Sequence, residues 1–450
     1  MEFASIFRAY DIRGIYGKTL NEEIAWKIGA AIGSLLKEGE KVIVGRDGRL
    51  SSEVLEKKLI EGILSTGVNV VDIGMVPTPV LYFASAFLKG NLGVMVTASH
   101  NPPEWNGFKI CDGNGFVIES EKIQEIRKLV SKGEFKKGEG SLEEYKKILD
   151  DYSNFVLSLI DVSKKLKVAI DCGNGMASTL VPRLFKKLGF KTIVINEKID
   201  GNFPGRGPDP TKEGALDELA KRIREENADF GVAFDGDSDR VVFVDENGNL
   251  PKSGGDLIII FSEHYVKSGK GSKIVFDVAC PKIVEQKIKE IGGIPIVERV
   301  GHSFIVRRMK EEDAVFGGEY SFHYYFKEIP GFDDAIFASL KFAEILSKAD
   351  KSFSQLLSEI PTYYYKYDIG FECPDEKKFK VIERLREALK REGLKVIEID
   401  GAKAFFEDGW ILWRASNTRP KILIFVEGKN EESLNRLIKL AEEKLMQFMQ

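Results

Sequence analysis

The sequence predicts an α/β protein of three related domains followed by a smaller α+β domain. Three observations carry this. The chain has 450 residues, room for three or four domains at roughly 150 residues each. A unit of apolar strand, small polar loop, helix and second strand recurs three times. The C-terminal stretch then orders its strands and helices differently.

The recurring unit begins with KVIVGRDG at 41–48 and leads to VNVVDIG at 68–74. It returns as KVAIDCGNG at 167–175, leading to FKTIVI at 190–195, and as KIVFDVAC at 273–280, leading to IPIVERV at 294–300. The strands are continuous β-branched runs, as expected where helices cover both sheet faces. Strands alternating with helices through short loops define α/β units. In the tail, YYYKYDIGF at 363–371 alternates as a strand does. A helix is expected near 375–392, strands near 395–400, 411–414 and 421–427, and a last amphipathic helix from about 430. A helix is also expected over 142–160. Boundaries near 150, 250 and 365 give domains of 1–150, 151–250, 251–365 and 366–450.

Composition excludes several classes. Lys and Arg total 66 against 70 Asp and Glu, a net charge of −4. A nucleic-acid binder should carry a basic excess. No run of 18 apolar residues spells a transmembrane helix, and the polar stretch Met1 to Tyr10 lacks the apolar core of a signal peptide. Cys111, Cys172, Cys280 and Cys373 lie far apart without a CxxC pair, the pattern of reduced thiols in a cytoplasmic protein.

Four loops carry chemistry. TASHNPPEWNGFKI, 97–110, follows an apolar strand and brings Ser99 to a strand end, where α/β proteins place ligands. Two prolines stiffen it. A serine hydroxyl needs a base, a metal or prior phosphorylation to act, and His100 and Lys109 are candidates to stabilise charge there. DGDSDR, 235–240, sets carboxylates at alternate positions of a non-helical loop, able to converge on one hard cation, Mg²⁺ or Ca²⁺. An EF-hand shares this spacing, but Arg240 stands where its sharp turn needs Gly, and VVFVDENG reads as strand and turn. GGEYSFHYYF, 317–326, alternates Glu319, Ser321 and His323, which in extended chain share one face and can read neighbouring sugar hydroxyls. His302 is a second polar candidate in the same third of the chain. RASNTRP, 414–420, offers Arg414, Ser416, Asn417 and Thr418 as donors suited to a phosphate dianion, with Arg419 adding charge.

These loops, in this order, resemble the α-D-phosphohexomutase superfamily, and most closely its phosphomannomutase/phosphoglucomutase branch. FRAYDIRG at 7–14 and GWILWRASNTRP at 409–420 add to the likeness, which spans essentially the whole chain. The resemblance implies three topologically similar mixed α/β domains and a smaller C-terminal α+β domain around a central cleft. It implies interconversion of hexose 1- and 6-phosphates, of mannose or glucose, through phosphorylated Ser99 and a hexose 1,6-bisphosphate that also serves as activator. Asp235, Asp237, Asp239 and the phosphate on Ser99 would bind Mg²⁺. Arg13 and Lys109 match basic residues beside the phosphoserine, and His323 matches the family's histidine. Arg240 and His302 match substrate contacts, and Glu319 and Ser321 match the residues holding O3 and O4 of the sugar. Arg414, Ser416, Asn417 and Thr418 match the grip on the non-transferred phosphate, and Tyr10 lines the cleft. The implied partner is a small phosphosugar, with no nucleic acid or membrane, in a monomer or homo-oligomer.

Two departures stand out. The sugar loop usually reads G-E-x-S-G-H, and Phe322 takes the second glycine's place. Many relatives carry a lysine where this chain has Ala279. A phosphoglucosamine mutase, a phosphatase using Ser99, and a non-catalytic metal-dependent sugar-phosphate binding protein are the alternative readings.

Overall fold

The computed structural model describes residues 6–8, 11–267, 269, 271–417 and 419–449. The chain divides into two compact units, Met1–Pro251 with Phe322–Leu356, and Lys252–Ser321 with Leu357–Gln450.

Each predicted strand–loop–helix repeat builds the same parallel core. In the first, Lys41–Arg46 is central, with Asn69–Met75 parallel on one side and Leu92–Val96 parallel on the other. In the second, Lys167–Asp171 lies between Lys191–Ile195 and Phe230–Phe234, both parallel to it. In the third, Lys273–Asp277 lies between Ile294–Glu298 and Phe316–Gly318, again parallel. In the first two, an antiparallel strand then extends the sheet: Trp105–Asp112 beside Leu92–Val96, and Val241–Asp245 beside Phe230–Phe234. The antiparallel strand Ile12–Ile15 follows Trp105–Asp112 in the first sheet. Continuous Val/Ile runs form these strands because both faces are covered: Val42, Ile43, Val44 and Val232 are fully buried.

The C-terminal domain is an antiparallel sheet in the order 364–372, 421–428, 409–415, 402–406, 395–397. One face buries Ala404, Ile411, Trp413, Ile424 and Val426 against Leu385 and Leu389 of one helix and Leu437 and Leu445 of another. Those helices, Asp375–Arg391 and Glu431–Met446, are the two expected there.

Three expectations need correction. The helix read over 142–160 begins at Ile148; Leu142–Glu144 is instead an edge strand parallel to Asn69–Met75. The strand read as 395–400 stops at Ile397, and Ala402–Phe406 is a further strand. Residues 319–323 are turn and bend rather than extended chain. Phe322 has φ of +68°, so Glu319, Ser321 and His323 do not alternate along one strand face.

Candidate active site

Because Arg46 pairs with Val96, two parallel strands end side by side and their loops leave together. The backbone N–H of Asp47 donates to the Val96 carbonyl at 3.0 Å, and Thr97 Oγ1 donates to Asp47 Oδ2 at 2.7 Å. Two residues on, Ser99 adopts φ of +51°, a conformation uncommon outside glycine, and its N–H donates to Thr97 Oγ1 at 3.0 Å. The hydroxyl, buried at 1% exposure, donates to Asp235 Oδ2 at 2.7 Å.

Asp235 follows the strand Phe230–Phe234, whose Phe234 pairs with Val241, so 235–240 is a tight hairpin loop. The Asp235 carboxylate accepts the N–H groups of Asp239 and Arg240 at 3.1 and 3.2 Å. Ser238 takes φ of +64°, and the side chains of Asp235, Asp237 and Asp239 converge with oxygens within 4.8 Å of one another. A strand follows this loop, not the helix of an EF-hand. Burial and the charges of Asp239 and Asp237 push the Asp235 carboxyl well up. Burial pushes Asp239 in the same direction, but nearby cations, Lys109 foremost and then Arg240, outweigh it and hold that carboxyl well below the usual range. Asp237 Oδ1 is buried with no hydrogen-bond partner, a costly state that a cation would relieve. An all-oxygen donor set with one such oxygen fits a hard divalent ion such as Mg²⁺.

Basic groups surround this pair of loops. Lys109 lies on the strand antiparallel to Leu92–Val96, opposite Met95, and its Nζ donates to Asp237 Oδ2 at 2.7 Å and to Asp239. Burial works to lower the Lys109 pKa, but Asp237 and Asp239 raise it, so the amine stays charged. Arg13 reaches across the loop that carries Ser99: Nη1 donates to Asn101 Oδ1 at 2.8 Å, and Nε pairs with Asp11 at 2.6 Å. Arg240 Nε donates to His323 Nε2 at 2.7 Å, and its Nη1 contacts His100 Nδ1 at 2.8 Å. A guanidinium can only donate, so His323 Nε2 is an acceptor. Its Nδ1 faces Asp333 Oδ2 at 3.2 Å. The structure thus joins Ser99, the three aspartates, Lys109, Arg240 and His323 into one network.

The remaining described candidates lie in the other compact unit. Glu319 accepts the N–H of Gly301 at 2.8 Å, beside His302, the first residue of the helix His302–Glu312. Asp400 ties this turn to the strand end at Arg414: its Oδ2 accepts Val300 N–H at 3.2 Å and Arg414 Nε at 2.7 Å. Asn417 Nδ2 donates to the Val300 carbonyl at 3.3 Å. Lys378 Nζ binds the carbonyls of Ser416 and Arg419 at 2.5 and 3.0 Å, and Ser416 Oγ accepts Arg419 N–H at 3.1 Å. Ser321 is half-buried in the turn after Tyr320. Tyr10 and Thr418 lie outside the described residues. At the other departure, Lys403 Nζ donates to the Val278 carbonyl, next to Ala279, at 2.8 Å. Burial holds the Lys403 amine down at about 8.

Sequence reading missed Asp47, Thr78, Thr97, Asp333 and Asp400. Thr78 Oγ1 donates to Asp237 Oδ2 at 2.6 Å and its N–H to the Asp237 carbonyl at 2.9 Å. Asp47 was within reach: it stands at the end of a parallel strand, where α/β proteins build sites.

With this geometry in place, comparison with known proteins identifies the class. Four successive stretches match the phosphoglucomutase/phosphomannomutase alpha/beta/alpha domains I, II and III and the C-terminal domain, over residues 4–137, 149–248, 253–364 and 369–444. The phosphomannomutase/phosphoglucomutase of Pseudomonas aeruginosa is 43% identical over 440 residues, covering 96% of this chain and 94% of that one. The phosphomannomutase of Methanocaldococcus jannaschii is 36% identical over 442 residues, 96% of each chain. The crystal structure of a phosphoglucomutase/phosphomannomutase family protein from Burkholderia thailandensis superposes with a TM-score of 0.90 at 36% identity, covering 98% and 97% of the two chains. The chain belongs to the phosphoglucomutase/phosphomannomutase family, and so to the isomerases that act by phosphoryl transfer.

Proposed function

We propose that the protein interconverts the 1- and 6-phosphates of mannose and glucose through a phosphoserine at Ser99 and a hexose 1,6-bisphosphate. The observation that carries this is the Ser99 hydroxyl, donating at 2.7 Å to one of three converging carboxylates. Asp235, Asp237, Asp239 and a phosphate oxygen on Ser99 would hold Mg²⁺, whose charge offsets that of the phosphoryl oxygens.

In the first transfer, a free sugar hydroxyl attacks the phosphorus on Ser99. An O–P bond to the sugar forms, the P–Oγ bond breaks, the hydroxyl proton passes to His323 Nε2, and Lys109 gives a proton to the departing Ser99 Oγ. Arg240 must first leave that nitrogen, which it does by turning to the substrate. Asp333 holds Nδ1 and so aims Nε2. In the second transfer the bisphosphate presents its other phosphate to Ser99: Lys109 takes back the Oγ proton, the new P–Oγ bond forms, the P–O bond to the sugar breaks, and His323 returns its proton to the departing sugar oxygen. Arg13 and Lys109 stabilise charge near the phosphoserine throughout. Glu319 and Ser321 read O3 and O4, leaving O2 unread, so both epimers are accepted. Arg414, Ser416, Asn417 and Thr418 grip the phosphate that is not reacting, with His302 as a further substrate contact and Tyr10 lining the sugar pocket. Hexose 1,6-bisphosphate primes Ser99 and is the activator. Four buried unpaired cysteines suit a reducing compartment, the cytoplasm.

The test is isomerisation of mannose 1-phosphate and glucose 1-phosphate with Mg²⁺ and a trace of glucose 1,6-bisphosphate. Ser99→Ala is the control. Product from both sugars, absent in the control, is expected. No product from either sugar would overturn the proposal; turnover of glucosamine 1-phosphate alone would then favour a phosphoglucosamine mutase. A preference of about a thousandfold between the two hexoses, equivalent to about 4 kcal/mol, would contradict the unread O2.

A further inference from the structure

The loop ending the strand Lys41–Arg46 is not used by the chemistry above, yet Arg49 within it is 2% exposed. Its side chain spends every N–H it has. Nη1 donates to the carbonyls of Pro102 at 2.7 Å and Trp105 at 3.0 Å. Nη2 donates to the carbonyls of Ser99 and Asn101, both at 2.7 Å. Nε pairs with Asp47 Oδ2 at 3.1 Å. Five donors in a planar fork is the whole inventory of a guanidinium, and four of them grip the backbone of the phosphoserine loop. The Phe203 ring lies 5.0 Å from the guanidinium carbon. The Ser99 carbonyl is further confined by Gly236, where an added Cβ would come within 2.6 Å of that oxygen.

We infer that Arg49 is a positioning residue for phosphoryl transfer: by clamping the carbonyls on either side of the loop, it holds the Ser99 backbone in its left-handed turn and so fixes the direction of Oγ. Residues 99–105 lie outside helix and, until Trp105, outside strand, so few ladder hydrogen bonds fix their path. Two prolines there, Pro102 and Pro103, also lack donors. Turn bonds from the N–H groups of Asn101 and Trp105, the Tyr16 N–H on Glu104 and Arg13 on Asn101 hold parts of this path, and Arg49 adds four carbonyl bonds from one buried group. In-line transfer tolerates little error: a displacement of about 1 Å costs on the order of a hundredfold in rate. Lysine cannot replace this fork, since it has only three donors on one atom.

The inference rests on Ser99 being the phosphoryl carrier, so wild-type isomerisation is measured first; if that fails, the functional proposal fails, not the clamp. In Arg49→Lys the expected result is kcat lower by on the order of a hundredfold, KM for mannose 1-phosphate within about twofold, and every molecule still able to accept one phosphate on Ser99 from glucose 1,6-bisphosphate, read by intact mass. A kcat within about threefold of wild type would overturn the inference. So would a phosphorylatable fraction that falls in step with kcat, because that marks misfolding rather than misalignment. Should Arg49→Lys not fold, Phe203→Leu unstacks the guanidinium while leaving its donors in place. A several-fold loss in kcat at unchanged KM then supports the clamp, and an unchanged kcat overturns it.

Discussion

Lys109 Nζ lies 2.7 Å from Asp237 Oδ2 and also bonds Asp239, so this one lysine offsets charge on two carboxylates of the aspartate loop. That lysine stands on a strand paired with the one that delivers Ser99, which couples the charge of the aspartate loop to the place of Ser99. Removing the cation therefore has two opposite effects. In Lys109→Gln, kcat falls by roughly a hundred- to a thousandfold, because a charge aimed at the transferring group is lost. Mg²⁺ affinity, read by calorimetry, rises by roughly tenfold as the repulsion between two cations is relieved. Weaker Mg²⁺ binding in the variant would contradict this reading of Lys109.

Asp333 faces Nδ1 of His323 at 3.2 Å while Arg240 covers Nε2. Asp333→Asn keeps the shape but presents an amide in place of a charge. The expected outcome is a kcat roughly ten- to a hundredfold lower with KM little changed, and an acidic limb of the kcat/KM–pH profile shifted to lower pH. A profile identical to wild type would remove Asp333 from the mechanism.

Phe322 occupies a glycine's place at φ of +68° and is 4% exposed. Phe322→Gly would relieve backbone strain of about 1–3 kcal/mol but lose a buried ring worth about 3–5 kcal/mol. The burial term is larger, so the variant should be less stable by about 2 kcal/mol, measured as a lowered thermal midpoint. A raised midpoint would mean that the ring packs too poorly to offset the strain.

Glu56 is pushed up to about 8, first by burial and then by Asp72, despite Arg46 Nε at 2.9 Å. A carboxyl whose folded pKa is raised contributes stability that is full below its unfolded value and lost as pH rises through the folded one. Between pH 4.5 and 8 the wild type should therefore lose stability relative to Glu56→Gln, by an amount on the order of a few kcal/mol. Parallel stability–pH curves for the two proteins would show that Arg46 already neutralises the cost of the charge.

The sequence was most readable where one physical rule dominates. Strands buried on both faces show as unbroken β-branched runs, so the three parallel cores could be read directly. The aspartate loop could be read because hard-cation ligation fixes both residue type and spacing. The strand Ala402–Phe406 was hidden because its outward position holds Lys403, a charged residue that the fold buries at 8% exposure. Phe322 broke the alternation expected of 319–323 because its conformation is set by the turn rather than by its side chain. Arg49 was invisible for a different reason: its partners are carbonyl oxygens, which every residue carries. Asp333 reaches His323 only after the chain reverses through Tyr324–Phe326 and the turn that follows, a contact that local pattern cannot encode.

The central claim is that phosphate passes through Ser99. The protein is incubated with Mg²⁺ and glucose 1,6-bisphosphate labelled at both phosphates, freed of excess label, and mixed with unlabelled mannose 1-phosphate. The label should first be found on the peptide containing Ser99 and then leave it within one turnover, appearing as mannose 1,6-bisphosphate and mannose 6-phosphate. Label that never reaches Ser99 while isomerisation proceeds, or that leaves it only as inorganic phosphate, would contradict the claim.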